Sequence, residues 1–196
     1  MSFGYPDRNI PNYSDLEQAI QDAYSKRILL FAAASNSGAN RLRAYPARHE
    51  EVICIHSTDS EGNRSKFSPT AIGGDNFATI GEAVESAWPM HLCGPSTTNN
   101  SMVISKSGTS FAAPIAAGIA AFLLQYARLH LDEEQAKMLK KSSAMKAVLR
   151  RIAAKKVGGK KRDDYDYIEI SRYEDNLFGK SEAYVRSEIL EAILHS

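Results

Sequence analysis

Cysteine is scarce in this sequence, with Cys54 and Cys93 the two among 196 residues. That excludes a disulfide-stapled scaffold and a four-cysteine zinc site. Net charge is scarce as well: 24 Lys and Arg face 23 Asp and Glu, leaving a formal +1. A balance that close argues against a whole-chain polyanion binder, while local patches stay open. The first 30 residues hold no basic stretch followed by an apolar run, so no secretory leader is visible and the default expectation is a cytoplasmic, reducing location. There is no internal repeat and no carboxylate cluster that suggests a calcium site, so neither a metal nor a cofactor is expected. What is there is an ordinary globular composition, 43% hydrophobic and 24% charged, in a length that suits one domain or one domain with an appendage.

The segment Ser107 to Ala127 runs for 21 residues without a formal charge, long enough to span a bilayer. It also carries Gly108, Pro114, Gly118 and several hydroxyl residues, and its strongly apolar part is only about Ile115 to Leu124. It reads as a buried core helix over 110–128, and no membrane partner is expected. Upstream, Ser14-Asp15-Leu16-Glu17 has the form of a capping box, and Leu16, Ala19, Ile20 and Ala23 follow at helical spacing. The run Ile28 to Ala34 is apolar without alternation, the pattern of a strand covered on both faces in a parallel sheet. Val52-Ile53-Cys54-Ile55 repeats that pattern, and Asn76 to Ile80 reads as a further short strand. Helix, buried strand, loop and buried strand predict an α/β architecture. Downstream, 132–156 reads as one helix. From Lys137 to Arg162 there are eleven Lys or Arg and no acid, whereas Asp163 to Ser196 carries nine acids against three bases. With Gly158-Gly159 as a linker, the expected division is a catalytic-type portion over 1–157 and a linker with an acidic tail over 158–196, outside the core.

The chemistry concentrates in Ser107-Gly108-Thr109-Ser110-Phe111-Ala112-Ala113-Pro114. A Ser in the first turn of a helix sits beside unpaired backbone N–H groups and the positive end of the dipole, which favours an oxyanion next to its hydroxyl. Spacing alone favours the plainer reading, a Ser/Thr N-cap on a buried Ala-rich helix. A second segment, Ala32-Ala33-Ala34-Ser35-Asn36-Ser37-Gly38, puts an Asn directly after a buried strand, at the end where α/β sheets place ligands.

Together these segments resemble the subtilase family, the subtilisin-like serine proteases. The Gly108-Thr109-Ser110-x-Ala112-x-Pro114-x-x-Ala117-Gly118 run matches the family's nucleophile signature, and Ala32 to Gly38 is similar to the segment that carries its oxyanion-hole Asn. Tyr45-Pro46-Ala47, Val52-Ile53, Asp59 and Ser65-Lys66-Phe67-Ser68 are similar to the stretch between those motifs, and Ser2-Phe3-Gly4 resembles the strand that pairs with bound peptide. The resemblance runs from about residue 1 to 153. It implies a subtilisin-like fold, a mainly parallel sheet flanked by helices, and cleavage of a peptide or protein substrate through an acyl-enzyme. It implies Ser110 as nucleophile, and Asn36 with the Ser110 N–H as oxyanion hole. It further implies Ser2, Phe3, Gly4, Ala33, Ala34 and Ser35 along the substrate backbone and its primary pocket.

The departures carry equal weight. Subtilases present Asp, His and Ser in that chain order, and the Asp and His fall before the strand that Ser2-Phe3-Gly4 resembles. The resemblance therefore implies that the N-terminal part of the domain is absent from this chain, and that the part carrying Asp and His is a possible partner. His49, His56, His91, His130 and His195 all lack the family's His-Gly-Thr context and are expected in surface or core roles. A Ser hydroxyl without a positioned base is a weak nucleophile, so the chain alone is expected to be inactive. Ser35 stands where the family has Gly. The competing reading is a non-catalytic binding or scaffold module. Nucleic-acid or acidic-lipid binding by 137–162 is weighed against a solvated basic face, and no nucleic acid is expected. A lipase-type esterase would need Gly at position 112.

Overall fold

In the computed structural model of the chain, residues 1–7, 9–92, 102–153, 164–171 and 176–196 are described. Their elements are α1 (Tyr13–Ser25), β1 (Leu30–Ala33), β2 (Val52–Thr58), β3 (Phe77–Ile80), β4 (Val84–Ala87), β5 (Val103–Lys106), α2 (Thr109–His130), α3 (Glu133–Met138), α4 (Ser142–Ile152), β6 (Asp166–Tyr167) and α5 (Glu182–Leu194). The α/β reading is met: β1, β2, β3 and β6 form a parallel sheet in that order, and β4 and β5 form a separate antiparallel pair.

The unalternating apolar run has a simple cause in this sheet. Side chains of a strand point to opposite faces in turn, and here both faces are covered. Phe31, Ala33, Ile53, Ile55 and Phe77 pack in one cluster with α2, α4 and α5. Ala32, Ala34, Val52 and Cys54 pack in the other with Ile20 of α1, Tyr45 and Ala47. On α2 the small residues Ala112, Ala113, Ala116 and Ala120 are buried, which lets the helix lie close against the strands. The opposite face of α2 is open, with Phe122 and Leu129 exposed. By length and composition α2 could cross a membrane; here its alanine face packs on the sheet.

Three expectations are corrected. The Ser14–Glu17 capping box does not form: α1 begins at Tyr13, after Asn12 in the left-handed region, and no side chain caps it. Glu17 is drawn instead to stronger donors, accepting from Tyr13 Oη and Tyr45 Oη at 2.8 Å each and approaching His49 Nε2 at 2.9 Å. The single helix over 132–156 is two, α3 and α4. Asp132 caps α3 through a capping box with Gln135, and α4 restarts at Ser142 after a turn. The acidic segment is not a tail outside the core. β6 extends the sheet beside β3, and Ile168, Val185, Ile189, Ala192 and Ile193 are buried in the same cluster as α2 and α4. Its acids serve the basic α4, where Arg151 pairs with Glu188 at 2.7 Å and Glu191 at 3.3 Å. The Gly158-Gly159 linker, the end of the basic run and Cys93 lie outside the described residues.

Candidate functional site

β1 and α2 bring the chemistry-bearing residues together. β1 ends at Ala33, and the chain turns out of the sheet through Ser35 and Asn36 towards the start of α2. The Asn36 carboxamide is fixed there. Its Oδ1 accepts from the Thr109 backbone N–H at 2.8 Å and from Thr109 Oγ1 at 2.9 Å. Since the carbonyl oxygen is held by two donors of the helix start, the amide nitrogen is turned outward. No protein partner for it is found among the described residues. A Cβ on residue 108 would stand 3.1 Å from Asn36 Nδ2, so Gly108 is what allows the carboxamide to lie this close to the backbone.

Ser110 is the second residue of α2 and half-buried. Its N–H belongs to the first turn, which has no intrahelical acceptor. Its hydroxyl donates to the Ser2 carbonyl at 3.3 Å, and the Ser2 hydroxyl donates to the Ser110 carbonyl at 2.9 Å. This exchange ties the N-terminal segment to the helix start. Met1 is hydrogen-bonded to the β1 edge through Ala33 N–H, and Tyr5 bridges Tyr45. Between those anchors, Phe3 and Gly4 are exposed and have no backbone partner among the described residues. Unpaired backbone of this kind is a template for an added strand.

A cavity of about 540 Å³ opens beside this edge, lined among others by Gly4, Pro6, Ser35, Ser37, Arg41 and Ala44. Ser35 is held at φ 150, a conformation that favours Gly, and its hydroxyl accepts from Ser37 N–H at 3.1 Å. Of the residues expected along a substrate, Ser2, Phe3, Gly4 and Ser35 surround this edge and cavity. Ala33 and Ala34 do not. They are 5% and 0% exposed, and their N–H groups donate inward to Met1 and Ile55. Their side chains leave no surface for a ligand, so they act as support beneath Ser35.

No histidine is hydrogen-bonded to Ser110 among the described residues. His49 faces Glu17. His56 is fully buried in β2 with Nδ1 at 3.2 Å from Ser68 Oγ, and burial, reinforced by the Arg43 charge, pushes its pKa down to about 3. His130 stacks on Tyr126 and faces Glu182 at 2.8 Å. His91 lies in a short 3-10 turn and His195 follows α5. No group of three or more potential metal ligands occurs among the described residues. Sequence reasoning missed Thr109 as the residue that orients Asn36, although it sits inside the signature, and it missed Arg41, which belongs to no motif.

The chain is similar to known proteins in sequence and in fold. The profile described as the subtilase family matches residues 1–173. Subtilisin BL of Lederbergia lenta is 36% identical over 125 residues, covering 64% of this chain and 40% of that protein. Thermitase of Thermoactinomyces vulgaris is 37% identical over 115 residues, covering 59% of this chain and 37% of that protein. Among solved structures, the prenylagaramide maturation protease PagA superposes with a TM-score of 0.65 at 21% identity, covering 98% of this chain and 60% of that one. The PatG macrocyclase in complex with peptide superposes with a TM-score of 0.62 at 16% identity, covering 97% and 49%. The chain thus spans about two fifths of the length of those curated relatives.

Proposed function

The chain belongs to the subtilase family, and on that premise we propose that it carries the nucleophilic half of a serine endopeptidase site. Ser110 Oγ attacks the carbonyl carbon of a peptide bond as its proton passes to a base. The carbonyl oxygen becomes an oxyanion held by Asn36 Nδ2 and the Ser110 N–H. Collapse breaks the C–N bond, the leaving amine takes the proton from the base, and water then releases the acyl group from Ser110. The substrate backbone lies along Ser2–Gly4, and its side chain enters the cavity behind Ser35.

What supports this reading above all is the Asn36 carboxamide, fixed by Thr109 with its nitrogen left over beside the Ser110 turn. Preorganised donors of this kind account for roughly 10²–10³ in kcat each, a magnitude measured on a member of this same family. The proton acceptor is not among the described residues, so the proposal assigns it to a segment or chain outside them. One observation favours a second reading, a non-catalytic binding module: the Ser110 hydroxyl donates to the Ser2 carbonyl, and no base is hydrogen-bonded to it among the described residues.

Labelling with a fluorophosphonate tests both readings. The isolated chain should label no faster than denatured protein in plain buffer. With imidazole added as an external base, the folded chain should label at Ser110 faster than denatured chain, with the gain abolished in Ser110→Ala and cut at least tenfold in Asn36→Ala. Equal labelling of folded and denatured chain in imidazole would remove the nucleophile assignment and leave the binding module.

A further inference from the structure

The cavity lined by Gly4 and Ser35 has a one-sided charge. Arg41 is the one charged residue among those lining it. Arg41 is exposed and its guanidinium has no carboxylate or hydrogen-bond acceptor among the described residues. The contrast with Arg43, two residues on, is informative. The Arg43 guanidinium is spent on the Ile72 carbonyl and on Asn76 Oδ1, so it holds the loop together. Among the described residues, the one hydrogen bond Arg41 makes is from its backbone N–H to the Gly38 carbonyl, at 3.2 Å. Arg48 adds a second positive group on the same side, donating to the carbonyl of Pro6 in the cavity wall at 2.9 Å. The remaining polar side chains of the lining are the Ser35 hydroxyl, which donates to the Ser37 hydroxyl at 3.1 Å, the Ser37 hydroxyl itself and the Asn40 amide; the last two can each donate a hydrogen bond.

We propose that this cavity selects an acidic side chain, Glu or Asp, in a peptide bound along Ser2–Gly4, with Arg41 as its counter-charge. The inference rests on the peptide cleft proposed above and goes further, to the class of residue the cleft prefers. A guanidinium presents paired N–H donors that match a carboxylate bidentately. It stands in a concave site large enough for a side chain, where solvent screening is weaker than on an open surface. A lysine or arginine of the substrate would meet like charge in the same space. Gly4 lies against Ala44 in the cavity wall. A Cβ there would fall 2.5 Å from the Ala44 Cβ, so the two segments that frame the cavity are in direct contact.

The test is binding, which needs no base. Fluorescein-labelled, C-terminally amidated, otherwise Ala-only hexapeptides carry one Glu, Gln or Lys at the same position, and their affinities for the full chain are read by fluorescence anisotropy. The Glu peptide should bind about tenfold tighter than the Gln peptide, as one charge-assisted bidentate contact supports, and the Lys peptide should be weakest. The ratio should shrink in 1 M salt. Arg41→Gln should weaken the Glu peptide to the level of the Gln peptide and leave the Gln peptide unchanged. Arg41→Glu should place Lys ahead of Glu. Three peptides bound alike by the native chain, or a Glu preference that survives Arg41→Gln, would overturn the charge selection while leaving the cleft in place. No binding by any of the three would overturn the cleft and this inference together.

Discussion

Replacing Glu17 with Gln tests the polar tie that fastens α1 to the loop before β2. The Glu17 carboxylate receives hydroxyl hydrogen bonds from Tyr45 and Tyr13 at 2.8 Å and faces His49 Nε2 at 2.9 Å. These donors, Tyr45 first, hold its pKa down at about 2, against the opposing pull of burial. The same contact pushes the Tyr45 hydroxyl far above its ordinary value, after the larger effect of its own burial. Taken at full value the carboxylate shift would correspond to about 3 kcal/mol at 1.36 kcal/mol per pKa unit. The Glu17 side chain is 33% exposed, and solvent screening brings the expected contribution to about 1–2 kcal/mol. The sign follows from linkage. The folded state favours the ionised carboxylate, so the stabilisation is complete above the ordinary carboxylate pKa near 4.5 and is lost as pH falls towards 2. Urea denaturation followed by circular dichroism at pH 7, 4.5 and 2.5 reads it directly. Glu17→Gln should cost about 1–2 kcal/mol at pH 7, and the gap between native chain and variant should narrow steadily below pH 4.5. A gap that is absent at pH 7, or one that stays constant down to pH 2.5, would refute the network as an ionic one.

Gly108→Ala should displace the Asn36 carboxamide, which a Cβ would meet at 3.1 Å; imidazole-dependent labelling of Ser110 should fall at least tenfold while the melting temperature drops only modestly. Leu149→Ala, in the fully buried stripe of α4, should cost about 2–5 kcal/mol in chemical denaturation. Leu129→Lys, at an exposed position of α2, should change stability in chemical denaturation by less than about 0.5 kcal/mol. Ending the chain at residue 157 should prevent cooperative melting, since it strips β6 and the buried face of α5 from the main core.

Much of the fold was legible because burial on two faces leaves a plain mark. Ile28 to Ala34 and Val52 to Ile55 lack alternation, and the strands within them are adjacent members of the parallel sheet, covered on both faces. The neighbourhood of Asn36 and the start of α2 was legible through a local signature, since both stand at the end of an element that the sequence announces. What escaped was decided by partners distant in the chain. Glu17 left its expected cap because Tyr45 and His49 offered better donors. The acidic segment looked solvated by composition, whereas Val185, Ile189, Ala192 and Ile193 form a stripe that is recognisable once α4 stands opposite it. Ala33 and Ala34 lie in the motif but are buried, while Ser35 beside them lines the cavity, a distinction that only three dimensions supply.

The pairing of β3 with β6 has a kinetic consequence. It joins residue 77 to residue 166 in a parallel register, with Phe77 opposite Asp166. A contact that closes so large a loop pays its chain entropy before it returns any packing, so it forms late. During synthesis, β1, β2 and β3 emerge long before their last neighbour exists. The edge of β3 and the apolar face awaiting α5 stay open for that interval, which ties the assembly of the core to the arrival of β6 and α5.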